Sequence, residues 1–182
     1  MPQNTVSDAS REAVCSYFRT ADSSVFKTRE LQKLVGKMKG EWGLPASTSF
    51  EEVVKCAGLV KVRLAFPSRP EVRYCKEGVS IYELVLSVKP ESYLTHHTAL
   101  HLHGLVENAP ENVFVNAEQS PKPRWESHLQ QEKIDWAFQR QPRTTSNIAE
   151  YDERRVFLLS GQGGPGNDES FVPRLCQPCG AE

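Results

Sequence analysis

The sequence predicts an α+β protein: a helical unit closed by strands, then a small α/β unit, then an irregular tail. Three observations predict it. Over residues 10–58, apolar residues recur at helical spacing in three runs separated by turn formers. Residues 59–66 alternate apolar and basic side chains, the period of a strand. After residue 160 the periodicity stops and Gly, Pro and Cys dominate. The expected boundaries are 10–90 for the first unit, 91–160 for the second and 161–182 for the tail.

Ser10 is the expected cap of the first helix, whose stripe is Ala13, Val14, Tyr17 and Phe18. Thr28 is the expected cap of the second, with Leu31, Leu34, Val35 and Met38 as its apolar stripe and Arg29, Lys33, Lys37 and Lys39 on other faces. Gly43 and Pro45 end it. The third helix begins after Ser47, Thr48 and Ser49, carries Glu51 and Glu52 in its first turn, and buries Phe50, Val53, Val54 and Ala57. Gly58 stops it. LVKVRLAF reads as a strand and PSRP as a turn. VRYCKEG and VSIYELVLSV read as two further strands around Gly78, forming a hairpin.

Three helices, a strand and a hairpin make the layout of a winged helix-turn-helix. In such folds the third helix usually enters the major groove and the hairpin touches the backbone or minor groove. The same order also occurs in domains that bind only proteins, because fold does not fix function. The third helix offers Glu51, Glu52 and Lys55, whereas base-reading helices favour Arg, Asn or Gln. Phosphate contacts with strong salt dependence are therefore expected to dominate any DNA interface.

In the second unit, SYLTHHTALHLHGL reads as a short helix opened by Thr95 and closed by Gly104. VFVNAEQ reads as a strand, RRVFLLSG as the last strand, and WESHLQQEKIDWAFQRQP as loop or irregular helix.

Charge is unevenly spread. Residues 1–90 hold 14 Lys+Arg against 10 Asp+Glu, +4, and residues 91–182 hold 8 against 13, −5. This tilt permits nucleic-acid binding by the first half. No apolar run approaches the ~20 residues of a membrane span, and MPQNTVSDASREAV lacks the apolar core of a signal peptide. A cytoplasmic protein with no membrane partner is expected. The odd set Cys15, Cys56, Cys75, Cys176 and Cys179 is no disulfide framework. Cys176 and Cys179 form one CxxC, half of what a structural zinc site needs.

The run RYCKEGVSIYELVLSVKPESYLTHHTALHLHGL is similar to part of the AbiEi-type antitoxins of type IV toxin–antitoxin systems. Tyr93, Leu94, Thr95, His96, Thr98, Ala99, Leu100, Leu102, His103, Gly104 and Leu105 fit that family's motif, with Thr95 where Ser is commoner. Phe114 and Val115 fit the strand that follows, and EYDERRVFLLSG resembles a later family strand. The resemblance covers residues 10–160 and is most specific over 73–105. It implies a bacterial cytoplasmic regulator whose winged helix represses its own operon. It also implies a nucleotidyltransferase-like toxin as functional partner, counteracted by a further domain without a stable complex. The chain departs from the family after Gly161, and QGGPGNDESFVPRLCQPCGAE is read as a truncated or frameshifted end in which the CxxC is accidental. The coding DNA tests this: a one-base shift should restore family-like sequence.

Four of the five histidines, His96, His97, His101 and His103, cluster in this motif. His97 and His101 are spaced to share a helix face. The residues between them, Thr98, Ala99 and Leu100, include no acid of the kind found in HExxH enzymes. The favoured reading is structural: Leu94, Ala99, Leu102 and Leu105 pack the helix onto the sheet, His96 and His103 cap turns or hydrogen-bond backbone, and His97 and His101 face solvent. Tyr93, Thr95, His96, Ala99, His103 and Gly104 then serve structure. Metal ligation and catalysis are the sharper alternatives, and neither is adopted. GQGGPGN lacks the GKS/T ending of a phosphate loop.

The expectation is a non-enzymatic, cofactor-free, metal-free regulator that binds double-stranded DNA at its own operator. The expected DNA-facing residues are Lys27, Thr28, Arg29, Lys33, Ser47, Thr48, Ser49, Lys55, Arg69, Arg73 and Lys76. The alternative is a protein-interaction module, or a remnant without DNA binding. Trp125, Trp136, Phe138 and Tyr151 then form either an interface or the core of the second unit.

Overall fold

A computed structural model describes residues 6–117, 130–139 and 144–160. The first helix, α1, spans Asp8–Thr20. Its cap is Ser7, which accepts from the Ser10 amide, so the expected cap Ser10 lies inside the helix. Ser10 is buried instead and donates to the Gly43 carbonyl at 3.0 Å. Strand β1, Val25–Lys27, follows in a stretch for which the sequence predicts no strand. Helix α2 covers Thr28–Met38 with Lys27 as its cap and no side-chain cap bond, so Thr28 is its first residue. Helix α3, Phe50–Cys56, is capped by Ser49 in a reciprocal box with Glu52.

Strands β2, Val60–Leu64, and β3, Glu71–Cys75, form the hairpin, connected through PSRP. They make an antiparallel sheet of order β1-β3-β2. The hairpin is thus one strand earlier than the sequence predicts. VSIYELVLSV is not its second arm but contains helix α4, Ile81–Leu86. Ser80 accepts from the Glu83 amide, and Arg73 supplies donors to the carbonyls at the other end. Both signals of a helix are present in the stretch. Ser80-x-x-Glu83 is a cap pattern, and Ile81, Leu84, Val85 and Val88 recur at i, i+3, i+4 and i+7.

The second sheet has the order β4-β5-β7-β6, from β4, Tyr93–Leu94; β5, Asn112–Asn116; β6, Ile148–Tyr151; and β7, Arg154–Leu159. β5 and β7 run parallel, and β6–β7 is a hairpin. Its turn residues Asp152 and Glu153 sit at φ 50° and 60°, the left-handed geometry that matches strand twist in a two-residue turn. Helix α5 spans His96–Leu102 and helix α6 Gln131–Gln139. Among the described residues no helix is long and apolar enough to cross a membrane.

Cross-strand pairs place the first sheet as a middle layer. Phe26, Val72 and Tyr74 point to a cluster made with Val14, Phe18, Leu31, Val35, Trp42, Val53 and Val54 of the helical side. Val62, Leu64 and Cys75 point the other way, to a cluster with Leu84, Val85, Val113, Val115, Val156 and Leu158. Each fully buried Val or Leu there contributes ~1.5–3 kcal/mol over leaving it in water. The second cluster crosses residue 90, so the two sheets share one core.

Candidate nucleic-acid interface

The expected DNA-facing residues separate into two groups. Arg29 and Lys33 are exposed on α2 at i and i+4, and Lys37 continues the same stripe. Lys55 is exposed on α3 beside the exposed acids Glu51 and Glu52. Arg69 stands in the β2–β3 connection with its side chain 83% exposed and its Nε 3.6 Å from Glu71 Oε1. Lys27 is half-buried with its Nζ 3.7 Å from Glu30, and Thr28 is half-buried. Ser47 is exposed, and Ser49 is committed to capping α3.

Three of the expected DNA-facing residues are withdrawn from the surface. Thr48 is buried in the turn before α3. Lys76 is half-buried and donates from Nζ to the Ala21 carbonyl at 2.6 Å, holding the end of α1. Arg73 is only 4% exposed. Its Nε donates to Ser87 Oγ, its Nη1 to Glu71 Oε2 at 2.9 Å and to the Val72 carbonyl, and its Nη2 to the Ser87 and Val88 carbonyls. All five guanidinium N–H groups are thereby used. Carbonyls past the last turn of a helix lack intrahelical donors, and a cation there also suits the helix dipole. Arg73 is the clamp at the end of α4 and offers nothing to a phosphate.

Two cations outside the expected DNA-facing set take their place. Lys61 pairs across the sheet with Tyr74, and Arg63 with Val72, so both side chains leave the sheet on the side that carries α1, α2 and α3. Both are exposed. Phe50 of α3 meets Tyr74 edge-on at 5.4 Å, which brings the start of α3 to that same sheet face. The signal was the alternation of VKVRL itself: once Val62 and Leu64 are buried, period two turns Lys61 and Arg63 outward.

The histidine motif serves the second sheet. The Thr95 amide donates to the Phe114 carbonyl at 3.0 Å. Thr98, fully buried, donates from its hydroxyl to the Asn112 carbonyl and accepts from the Phe114 amide at 3.1 Å. A threonine thus replaces a neighbouring strand where β4 is too short to pair the edge of β5. Tyr93 Oη accepts from Asn116 Nδ2 at 2.6 Å, and Ala99 is half-buried. His96 has a left-handed backbone, φ 54°, with Nδ1 2.9 Å from Thr95 Oγ1 and its ring 5.1 Å from that of Phe114.

The expected roles shift within the motif. His101, expected in solvent, is half-buried with Nδ1 3.3 Å from the Val106 carbonyl. His97 and His103 are exposed, and Gly104 takes φ 68° after the helix. Leu102 and Leu105, expected to pack, are 49% and 70% exposed; Thr98 holds the helix instead, while Leu94 packs on the shared core. Among the described residues no group of three or more His, Cys, Asp or Glu is placed to hold a metal. Of the aromatic set, Tyr151 packs against the shared core and Trp136 is 57% exposed. Trp125, the Phe138 side chain, and the tail with Cys176 and Cys179 lie outside the described residues.

A polar depression of about 510 Å³ opens beside the β6–β7 turn, lined by Ala109, Pro110, Glu111, Asn112, Asp152, Glu153, Arg154 and Arg155. The lining mixes acids with arginines and contains no Ser, Cys or His nucleophile–base pair of the kind covalent catalysis uses.

Comparison with protein-family models, with curated proteins and with solved structures gives no match.

Proposed function

We propose that the chain is a DNA-binding transcriptional regulator of the AbiEi antitoxin type, an autorepressor acting in the cytoplasm on its own operator, with no catalytic role. The observation that carries the reading is the order α1-β1-α2-α3-β2-β3 with an antiparallel β1-β3-β2 sheet. We read this order as a winged helix-turn-helix with its wing at the β2–β3 connection. The exposed cations Arg29, Lys33 and Lys37 on α2, Lys55 on α3, Lys61 and Arg63 on β2, and Arg69 in the wing supply phosphate contacts. The likeness of residues 93–105 to the antitoxin motif supplies the biological role and the nucleotidyltransferase-like toxin as functional partner.

Fluorescence anisotropy against DNA from upstream of the gene, with scrambled DNA as control, tests the reading across a salt series. The expected result is sequence-preferring binding whose log affinity falls linearly with log salt. Equal affinity for both DNAs defeats the operator reading.

A second reading, a protein-interaction module, draws on Glu51 and Glu52 of α3 and on Leu100, Leu102 and Leu105, all more than 40% exposed around α5. Exposed apolar side chains in contiguous patches mark interaction sites. Absence of DNA binding together with a dimer in sedimentation would favour it.

A further inference from the structure

We propose that Cys15 and Cys56 form a reversible intramolecular disulfide that locks α1 to the C-terminal end of α3 and lowers DNA affinity. The regulatory half of this rests on the DNA-binding reading above; the crosslink itself does not.

The two residues come from different helices, 41 positions apart, and the Cys15 thiol donates to the Cys56 carbonyl at 2.8 Å. With C=O and Cα–C bonds of about 1.2 and 1.5 Å, that contact sets Cys15 Sγ within ~5 Å of the Cys56 Cα. In a disulfide the same two atoms stand roughly 4 Å apart, so the contact puts the two residues within reach of a crosslink. Both residues are half-buried. A small oxidant reaches them, while the surrounding α1–α3 contact keeps them together. Cys75, in contrast, is buried to 4% exposure. Burial pushes its thiol up, with Arg73 opposing and Glu83 adding to the effect. The nucleophilic thiolate is scarce there, so Cys75 does not compete.

The oxidant is a hydroperoxide. One thiolate attacks a peroxide oxygen, the O–O bond breaks, and hydroxide leaves and takes a proton to become water. The second thiol attacks the sulfenic sulfur, the S–O bond breaks as the S–S bond forms, and the hydroxide takes the thiol proton and departs as a second water. Two thiols and one H2O2 become one disulfide and two waters. A dithiol reverses it by exchange, taking the two electrons' worth of oxidation onto itself.

The bond acts on α3 because this helix is short. Its seven residues are pinned at the start by the Ser49–Glu52 box and along its buried side by Val53 and Val54. Oxidation removes the thiol that donates to the Cys56 carbonyl and pulls the last turn toward α1. Recognition geometry tolerates only ~0.5 Å, so moving that turn weakens binding.

The test uses the full chain with Cys176→Ser and Cys179→Ser, so that the tail pair cannot react. Stoichiometric H2O2 should give a peptide pair linked through Cys15 and Cys56, two hydrogen atoms lighter than the separate peptides and released by dithiothreitol. Adding Cys15→Ser or Cys56→Ser should abolish it; near-UV circular dichroism confirms that each variant is folded. Anisotropy should show the operator Kd rising about tenfold on oxidation, returning on reduction, and constant throughout in the Cys15→Ser chain. No linked peptide overturns the crosslink. A linked peptide with unchanged Kd overturns the regulation. If the reduced chain shows no preference for operator DNA, the DNA-binding reading fails and the regulation with it, and the linked peptide alone then decides whether the disulfide exists.

Discussion

The basic residues of the first half divide between α2 and β3. On α2, Arg29, Lys33 and Lys37 stand in one exposed stripe, one helical turn apart. On and just after β3, Arg73 and Lys76 turn inward, the first clamping α4 and the second holding the last turn of α1. Similar side chains, within fifty residues of one another, do opposite work. The difference lies in what their neighbours leave unsatisfied. An eleven-residue helix such as α2 satisfies most of its own backbone groups and leaves its outer face to carry charge. Just past the six-residue helix α4, the Ser87 and Val88 carbonyls have no helical donor, and a cation on the adjacent strand is recruited to them.

The largest effect expected from breaking this division is at Arg73. Arg73→Ala removes all five donated bonds, takes the Arg73 donors from the Ser87 and Val88 carbonyls, and leaves the mostly buried Glu71 carboxylate with only the longer contact to the exposed Arg69. Breaking a buried pair from one side costs about 3–5 kcal/mol. Thermal unfolding should shift down by roughly 10 °C for a chain of this size. A shift under about 2 °C would mean that solvent takes over the clamp. A loss of DNA binding without a loss of stability would put Arg73 back in the interface.

What could be read in the sequence follows the same division. The three N-terminal helices, the hairpin strand 60–64 and strands 112–116 and 154–159 are legible because their apolar residues recur at one clear period. Strand β1 is not, because three residues between two helices show no period. The 79–88 stretch is misread as a strand because its mixture of Val, Ile, Leu and Tyr has β propensity, although its spacing and its Ser-x-x-Glu cap are helical. Tertiary placement is the hardest part. Nothing local to Arg73 marks it as a clamp, since the carbonyls it holds belong to residues 87 and 88. Likewise Thr98 looks like one more polar residue of a histidine-rich helix, and only its bonds to the β5 edge show why the helix sits where it does.

The second largest effect is expected from the displayed stripe. Arg29→Ala with Lys33→Ala should lower the salt slope of DNA binding by about two, one for each phosphate left without its cation. Stability should stay within ~0.5 kcal/mol, because both side chains are on the surface. Salt-series anisotropy and thermal unfolding on the same samples separate the two. An unchanged slope would take α2 out of the interface and leave Lys61 and Arg63 on β2 as the next pair to remove.

Lys76→Ala gives a smaller and opposite signature. The Lys76 ammonium holds the Ala21 carbonyl, the first residue past α1, at 2.6 Å. The bond is charge-assisted but only half-buried, so its loss should cost about 1 kcal/mol of stability. The DNA salt slope should not move, which is the reverse of the α2 pair. Lys76→Met keeps the aliphatic stem and should lose nearly as much. If Met restores full stability, packing of the stem rather than the hydrogen bond ties β3 to α1.

Arg69 lies between the two classes and sharpens the division most finely. It is displayed, with 83% of its side chain exposed, yet it shares Glu71 with the buried Arg73. Arg73 holds Oε2 at 2.9 Å, whereas Arg69 stands 3.6 Å from Oε1. Removing Arg69 therefore leaves the Glu71 carboxylate paired, and an exposed ion pair contributes only ~0–1 kcal/mol. Arg69→Ala should change stability by less than about 0.5 kcal/mol. If the β2–β3 connection touches the DNA backbone, the salt slope falls by about one. A stability loss like that of Arg73→Ala would show that the two arginines hold Glu71 together, and that Arg69 belongs with the clamp rather than with the display.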